Sequence, residues 1–209
     1  MARQKTVTTK EKLLMAASEV FVEKGFRDAT VADICNRAGA NVAAVNYHFG
    51  SKKALYQEAW RFSFTESMKA YPQDGGVAKD ATAEERLRGQ LMALIGRISD
   101  EANRNFRISQ MEFANPTGLL DEVVRSEVVP LREKTLSLVR ELLGPDATEQ
   151  QVVFCEMSII SMCIHPILMQ QHSKKTTKLD VPLVIDDIEA FTEHVVNFAL
   201  AGINAVKGG

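Results

Sequence analysis

Apolar positions recur at three- and four-residue spacing along almost the whole chain, and no stretch shows the strict alternation of a half-buried strand. The pattern predicts an all-α protein of about nine helices. The first helix is expected over 9–24, with Leu13, Leu14, Ala17, Val20 and Phe21 as its apolar stripe and Gly25 as its stop. A second is expected over 31–38, opened by Thr30 with Asp33 three residues on, the spacing of a capping box. A third, short helix follows over 42–48, capped by Asn41, after the tight turn Ala38-Gly39-Ala40. Gly50-Ser51 ends it, and Ser51 caps a long helix over about 52–70. The segment 71–82, YPQDGGVAKDAT, reads as a linker. Helices are then expected at about 83–102, 104–114, 118–143, 148–171 and 187–206, with a polar loop at 172–182. Pro130 and Pro166 fall inside helical patterns and predict kinks.

Two short helices joined by a tight glycine turn are the helix-turn-helix pattern. In the third helix Val45 and Phe49 lie four apart and point inward, whereas Val42, Ala43, Asn46 and Tyr47 lie towards the other side. Small residues allow close approach to base edges, and Asn46 offers both a donor and an acceptor. Tyr47, His48 and Lys52 are residue types that hold phosphates. The helix starts at Thr30 and Ser51 add backbone amides as anion sites. The expected DNA contacts are therefore Thr30, Asn41, Val42, Ala43, Asn46, Tyr47, His48 and Lys52.

Charge supports this placement weakly. The net charge is -2, but residues 1–60 hold nine Lys/Arg against six Asp/Glu, and the remainder sixteen against twenty-one. A mildly basic head sits on an acidic body. The three cysteines follow no metal or disulfide spacing and read as reduced, buried thiols of a cytoplasmic protein. The first twelve residues lack the apolar core of a signal peptide. Residues 152–170 approach membrane-spanning length. Glu156, His165 and Pro166 inside that stretch favour a helix buried on several sides within protein, so no membrane association is expected.

Residues 9–60 resemble the N-terminal domain of the TetR family of bacterial transcriptional repressors. The resemblance rests on AASEVFVEKGFRDATVADICNRAGA followed by NVAAVNYHFGSKKALY, with family positions matched at Phe21, Gly25, Phe26, Thr30, Ile34, Ala38, Gly39, Phe49, Ser51 and Lys52. Cys35, Ala40, Asn41 and Asn46 depart from the usual residues. The stretches at 71–98 and 115–144 resemble the body of the subgroup of regulators related to cefoperazone and chloramphenicol sensitivity. The resemblance implies a DNA-binding domain at 1–55 and an effector-binding and dimerisation domain at 56–209. It also implies a homodimer on a double-stranded, pseudo-palindromic operator, released by a small and largely apolar effector.

Candidate effector contacts are Phe106, Met111, Phe113, Met157, Ile160, Ser161, Met162 and His165, since methionine suits an adaptable apolar pocket. Candidate dimer contacts are Phe154, Cys155, Leu168, Phe191, His194, Val195 and Phe198. No cofactor or metal is expected: His165 and His172 lack a third ligand, Cys163 and His165 do not share a helix face, and no phosphate loop or zinc spacing occurs. The alternative is a helical small-molecule-binding protein or enzyme with a vestigial head.

Overall fold

The computed structural model describes residues 7–173 and 185–208. Nine helices and no strand occur among the described residues: α1 (Thr9–Asp28), α2 (Val31–Ala38), α3 (Val42–Phe49), α4 (Lys52–Ala70), α5 (Ala83–Ser99), α6 (Arg104–Ala114), α7 (Asp121–Leu143), α8 (Glu149–Ser173) and α9 (Ile188–Gly208). Most of the expected loop at 172–182 lies outside the described residues. The chain forms two compact units. One comprises residues up to Ser67 with Glu101–Ser126, the other Met68–Asp100 with the residues from Glu127 onward. The domain boundary expected at 55/56 therefore falls inside α4. Tyr56, Ala59 and Trp60 are fully buried with Leu13, Phe21, Ile34 and Val45 in the core of the first unit, so that core continues past the expected limit.

In the first unit the helix ends are set by side chains. Thr8 and Glu11 cap α1 reciprocally, at 2.8 and 3.2 Å. Gly25 breaks α1 at φ +71°, as the sequence implies, and the chain makes one more turn to Asp28. The start of α7 lies three residues beyond the expected position. The amides of Thr117 and Gly118 both donate to the Glu112 carboxylate at 2.7 and 2.9 Å, which fixes a turn where helix was expected.

The second unit packs α5, α8 and α9 against one another. α5 is shorter than expected. Asp100 and Glu101 at its end oppose the negative pole of the helix dipole, and its last cap bond runs from the Asp100 amide to Gly96. α7 and α8 are continuous helices through Pro130 and Pro166. Within the protomer α8 is buried along one face only. Val152, Glu156, Ile159, Cys163 and Ile167 form one buried face, whereas Phe154, Met157 and Met169 are exposed opposite it. By length and composition α8 could cross a membrane, but its buried face carries a charge. Glu156 is 4% exposed and accepts two bonds from the Arg132 guanidinium of α7, both at 3.0 Å.

Two glycines of α5 give the 71–82 segment its seat. A Cβ on Gly89 would lie 2.5 Å from the Asp74 carbonyl, and one on Gly96 2.8 Å from the Tyr71 ring. The segment thus lies backbone-on-backbone along α5 and walls a groove of about 730 Å³ against α7. Gly89→Ala should force this segment off α5 and cost about 1–3 kcal/mol, the usual penalty of overpacking, outweighing alanine's better helix propensity of about 1 kcal/mol. Thermal unfolding of the variant checks this; an unchanged or raised midpoint would contradict the close seat.

Candidate nucleic-acid interface

The segment from Thr30 to Lys52 owes its shape to short-range bonds. Thr30 and Asp33 form the expected capping box: the Thr30 amide and hydroxyl both donate to the Asp33 carboxylate at 3.0 and 2.7 Å, and the Asp33 amide donates to the Thr30 hydroxyl oxygen at 3.0 Å. Gly39 then adopts φ +63°, ψ +39°, the left-handed cap that lets α2 stop within one residue. Asn41 accepts from the Ala44 amide at 2.9 Å and starts α3. Ser51 accepts from the Ala54 amide at 3.1 Å and starts α4.

These caps present α3 with two faces. Val45 and Phe49 are 1% and 9% exposed and anchor it to α1 and α2. Asn41, Val42, Ala43, Asn46 and Tyr47 are exposed together on the other side, Tyr47 at 85%. An 85% exposed tyrosine and a 49% exposed valine on a helix this short do nothing for the core of their own unit. His48 is half-buried, edge-on to Tyr47 with centroids 5.0 Å apart.

Two expected phosphate partners are already engaged. The Thr30 hydroxyl proton is spent on Asp33, which leaves the backbone amides of Val31 and Ala32 as the donors at the start of α2. Lys52 is half-buried. Its ammonium donates to the Arg27 carbonyl at 3.2 Å and lies 4.6 Å from the centre of the Phe26 ring. Other head cations are neutralised locally: Lys24 pairs with Asp33 at 2.9 Å, and Arg37 holds Glu23 through two bonds of 2.7 and 2.8 Å. Lys10 was not foreseen. It is exposed near the start of α1, with its ammonium 5.8 Å from the Phe49 ring, which places a cation beside the end of α3. Nothing in the sequence pairs two residues so far apart.

The helix-turn-helix geometry agrees with what the chain resembles elsewhere. Residues 83–203, more than half of the chain, match the family model of the C-terminal domain of the HTH-type transcriptional dual regulator CecR, and residues 13–59 match that of the bacterial regulatory proteins of the tetR family. The chain belongs to the TetR family of transcriptional regulators. Among curated relatives it is 28% identical to the dual regulator CecR of Shigella flexneri, over 72% of either chain. It is 22% identical to the regulator SrpR of Pseudomonas putida, over 69% of this chain and 63% of that one. Solved structures share the fold. A TetR-like regulator from Rhodococcus sp. RHA1 superposes with a TM-score of 0.69 at 17% identity, covering 97% of this chain and 99% of that one. The regulator FadR of Bacillus subtilis, solved in complex with stearoyl-CoA, gives 0.69 at 15% identity, covering 91% and 97%.

The other candidates of this TetR-family chain divide by unit and by burial. Phe106 and Met111 are half-buried on α6 in the first unit. Phe113, on the same helix, is 90% exposed, because α6 turns it away from the buried Ile108. On α8, Ile160 and Met162 are half-buried, and Met157, Ser161 and His165 are exposed on the same face as Phe154. Among the dimer candidates, Phe198 and His194 are exposed on α9, and Cys155, Leu168 and Phe191 are half-buried. Val195 is 2% exposed, spent in the protomer's own core, and is withdrawn as an interface residue.

The α2 cap has an acid limit. The Thr30 hydroxyl, then Lys24, then the Thr30 amide hold the Asp33 carboxyl down to about 2. Its stabilisation is present above the unfolded value of about 3.9 and lost as pH falls through about 2. Asp33→Asn should therefore flatten that part of the acid-unfolding curve. Titration of the Asp33 carboxyl carbon by NMR with a midpoint near 4 would sink the assignment.

Proposed function

We propose that the protein is a cytoplasmic, dimeric repressor that lays α3 in successive major grooves of a pseudo-palindromic operator and leaves DNA when a small effector binds. The observation that carries this is the exposed face of α3, with Val42, Ala43, Asn46 and Tyr47 outward and Val45 and Phe49 buried. Base edges meet the small residues at the helix start, and Tyr47, Lys52 and the amides at Val31 hold the backbone. The rival reading, a binding protein or enzyme with a vestigial head, would leave this exposed face without a role.

A second exposed face supports the dimer. Phe154 and Met157 of α8 and Phe198 of α9 are 58%, 55% and 60% exposed within one unit. Aromatic and methionine side chains are enriched at interface cores. An operator read by a two-fold dimer would present its half-sites in successive major grooves, roughly 34–36 Å apart. The effector is read as amphipathic. The structural relative FadR was solved with stearoyl-CoA. The groove between 71–82, α5 and α7 mixes Val77, Leu131 and Leu138 with Lys79, Lys134 and Glu133, and its 730 Å³ falls in the range of small-ligand sites. Entry of the ligand would shift α4, the continuous helix that links the two units, and so change the spacing of the heads.

Selection of genomic fragments on the purified protein, followed by anisotropy titration, tests the DNA reading. Tyr47→Ala should weaken binding to selected and random duplexes alike, whereas Val42→Ala should alter base preference at a cost of about 1–3 kcal/mol at the affected pair. Failure to enrich any sequence would refute sequence-specific recognition. Stearoyl-CoA added to the complex is the first effector probe; a released duplex supports the amphipathic reading.

For assembly, Phe154→Glu with Phe198→Glu should give a folded monomer by light scattering, and much weaker operator binding, because each protomer alone grips one half-site. A dimer of unchanged stability would put the interface elsewhere.

A further inference from the structure

We propose that Phe26 and the Arg27 carbonyl position the Lys52 ammonium for the DNA backbone, and that the C-terminal end of α6 holds the elbow of α1 that presents them. This deepens the reading of the Thr30–Lys52 segment as the DNA-contacting surface and rests on it.

Lysine is a flexible point charge, and an exposed one is placed by nothing but its own rotamers. Lys52 is different. It is the first residue of α4, directly after the turn that ends α3. Its ammonium is held from two sides, by the Arg27 carbonyl at 3.2 Å and by the face of the Phe26 ring at 4.6 Å. An ammonium has three donors. One is used by Arg27, the ring face takes none in a directed bond, and the rest remain for phosphate oxygens. The arrangement draws part of the lysine out of water without neutralising its charge.

Both partners belong to the turn that follows Gly25. The positive φ of Gly25, +71°, sends the chain out of the α1 axis and places Phe26 and the Arg27 carbonyl over the start of α4. That elbow is gripped by α6 and the residues just after it. The Met111 methyl would lie 3.5 Å from a Cβ on Gly25, and the Arg27 guanidinium donates to the Pro116 carbonyl at 3.2 Å. The Phe26 ring is 5.0 Å from the Tyr56 ring, and the Tyr56 hydroxyl donates to Glu112 at 3.0 Å. Between the elbow and α6 lies a cavity of about 190 Å³, so the elbow has room to move when α6 does. A displacement at the end of α6 is thereby passed to a DNA-contacting cation inside a single compact unit.

A double-mutant cycle on the full-length protein tests this, read as affinity for a random-sequence duplex over a range of salt. Lys52→Gln should weaken binding roughly fivefold at physiological salt and lower the salt slope by about 0.9, the share of one neutralised phosphate. Phe26→Leu, which keeps an apolar side chain but removes the ring face, should weaken binding where Lys52 is present and have no further effect in the Lys52→Gln background. Phe26→Tyr should restore affinity. Met111→Ala, which loosens the elbow without touching a charge, should behave as Phe26→Leu does. Equal losses in both backgrounds would mean that Phe26 and Met111 only pack, and would overturn the inference. An unchanged salt slope in Lys52→Gln, with the unmutated chain binding DNA normally, would overturn it alone. A chain with no affinity for any duplex would remove the DNA reading beneath it as well.

Discussion

The first unit depends on how two aromatic donors of α4 are satisfied. Tyr56 and Trp60 are each 1% exposed. Burying either removes about 150–250 Å² from water, worth about 4–6 kcal/mol as an upper estimate. Each also carries a donor that would cost about 1–3 kcal/mol if left without a partner. Helices α1 to α3 do not meet that need; α6 does. The Tyr56 hydroxyl donates to Glu112, and the Trp60 indole donates to Ser109 at 2.8 Å. Burial, and then the Glu112 charge, push the Tyr56 phenol well above its ordinary range, so it remains a donor at any physiological pH. The same carboxylate ties down the turn at 117–118, and Gln57 donates to the Leu119 carbonyl at 2.7 Å. A helix some fifty residues away in sequence thereby becomes part of the head.

This explains why the helices were legible in the sequence and the units were not. Caps and breakers act over three or four residues, so Thr30 with Asp33, Asn41, Gly39 and Ser51 fixed α2, α3 and the start of α4 to within a residue. The start of α7 was misplaced because the amides of Thr117 and Gly118 are taken by a carboxylate on the preceding helix, a tertiary event that periodicity does not encode. The compact units are divided elsewhere than at 55 for a related reason. Family resemblance marks where a recognisable motif ends, whereas compactness follows the partners of Tyr56 and Trp60. On α3 the sides were readable because a short helix with two apolar anchors has only one way to face its core. What that reading missed was prior engagement: the Thr30 hydroxyl and the Lys52 ammonium have intramolecular partners that no spacing rule shows.

The body shows the limit of composition from the other direction. α8 is apolar nearly all round, and all-round apolarity implies cover without saying by what. The structure divides it by periodicity that was present but not decisive. Val152, Glu156, Ile159, Cys163 and Ile167 step by three and four along the buried side. On that face the residue that looked most foreign, Glu156, is the one tied by two bonds to the neighbouring helix. Met157 and His165, read from the sequence as pocket candidates, fall in the exposed register of this helix.

That exposed register also bears on the rejected membrane reading. The stretch Glu149–Gln171 contains an 18-residue window with a mean hydropathy of 1.9, of which only 33% is buried within the protomer. Length and hydropathy alone would let it cross a bilayer. A spanning helix with one carboxylate would leave that charge to find a partner at membrane depth, where ionised groups are costly. Here the partner is Arg132 of α7, itself half in water, on a helix whose other residues include exposed Glu133, Lys134 and Arg140. A helix paired to so hydrophilic a neighbour on one side is committed to a globular body, and the uncovered aromatic and methionine side chains on its other side then call for protein rather than lipid. Apolar cover from a second copy of the same helix would satisfy both sides at once, and this is how the proposed dimer ties the exposed face of α8 to the exposed face of α3: the first would bring two chains together, and the second would give the pair something to grip.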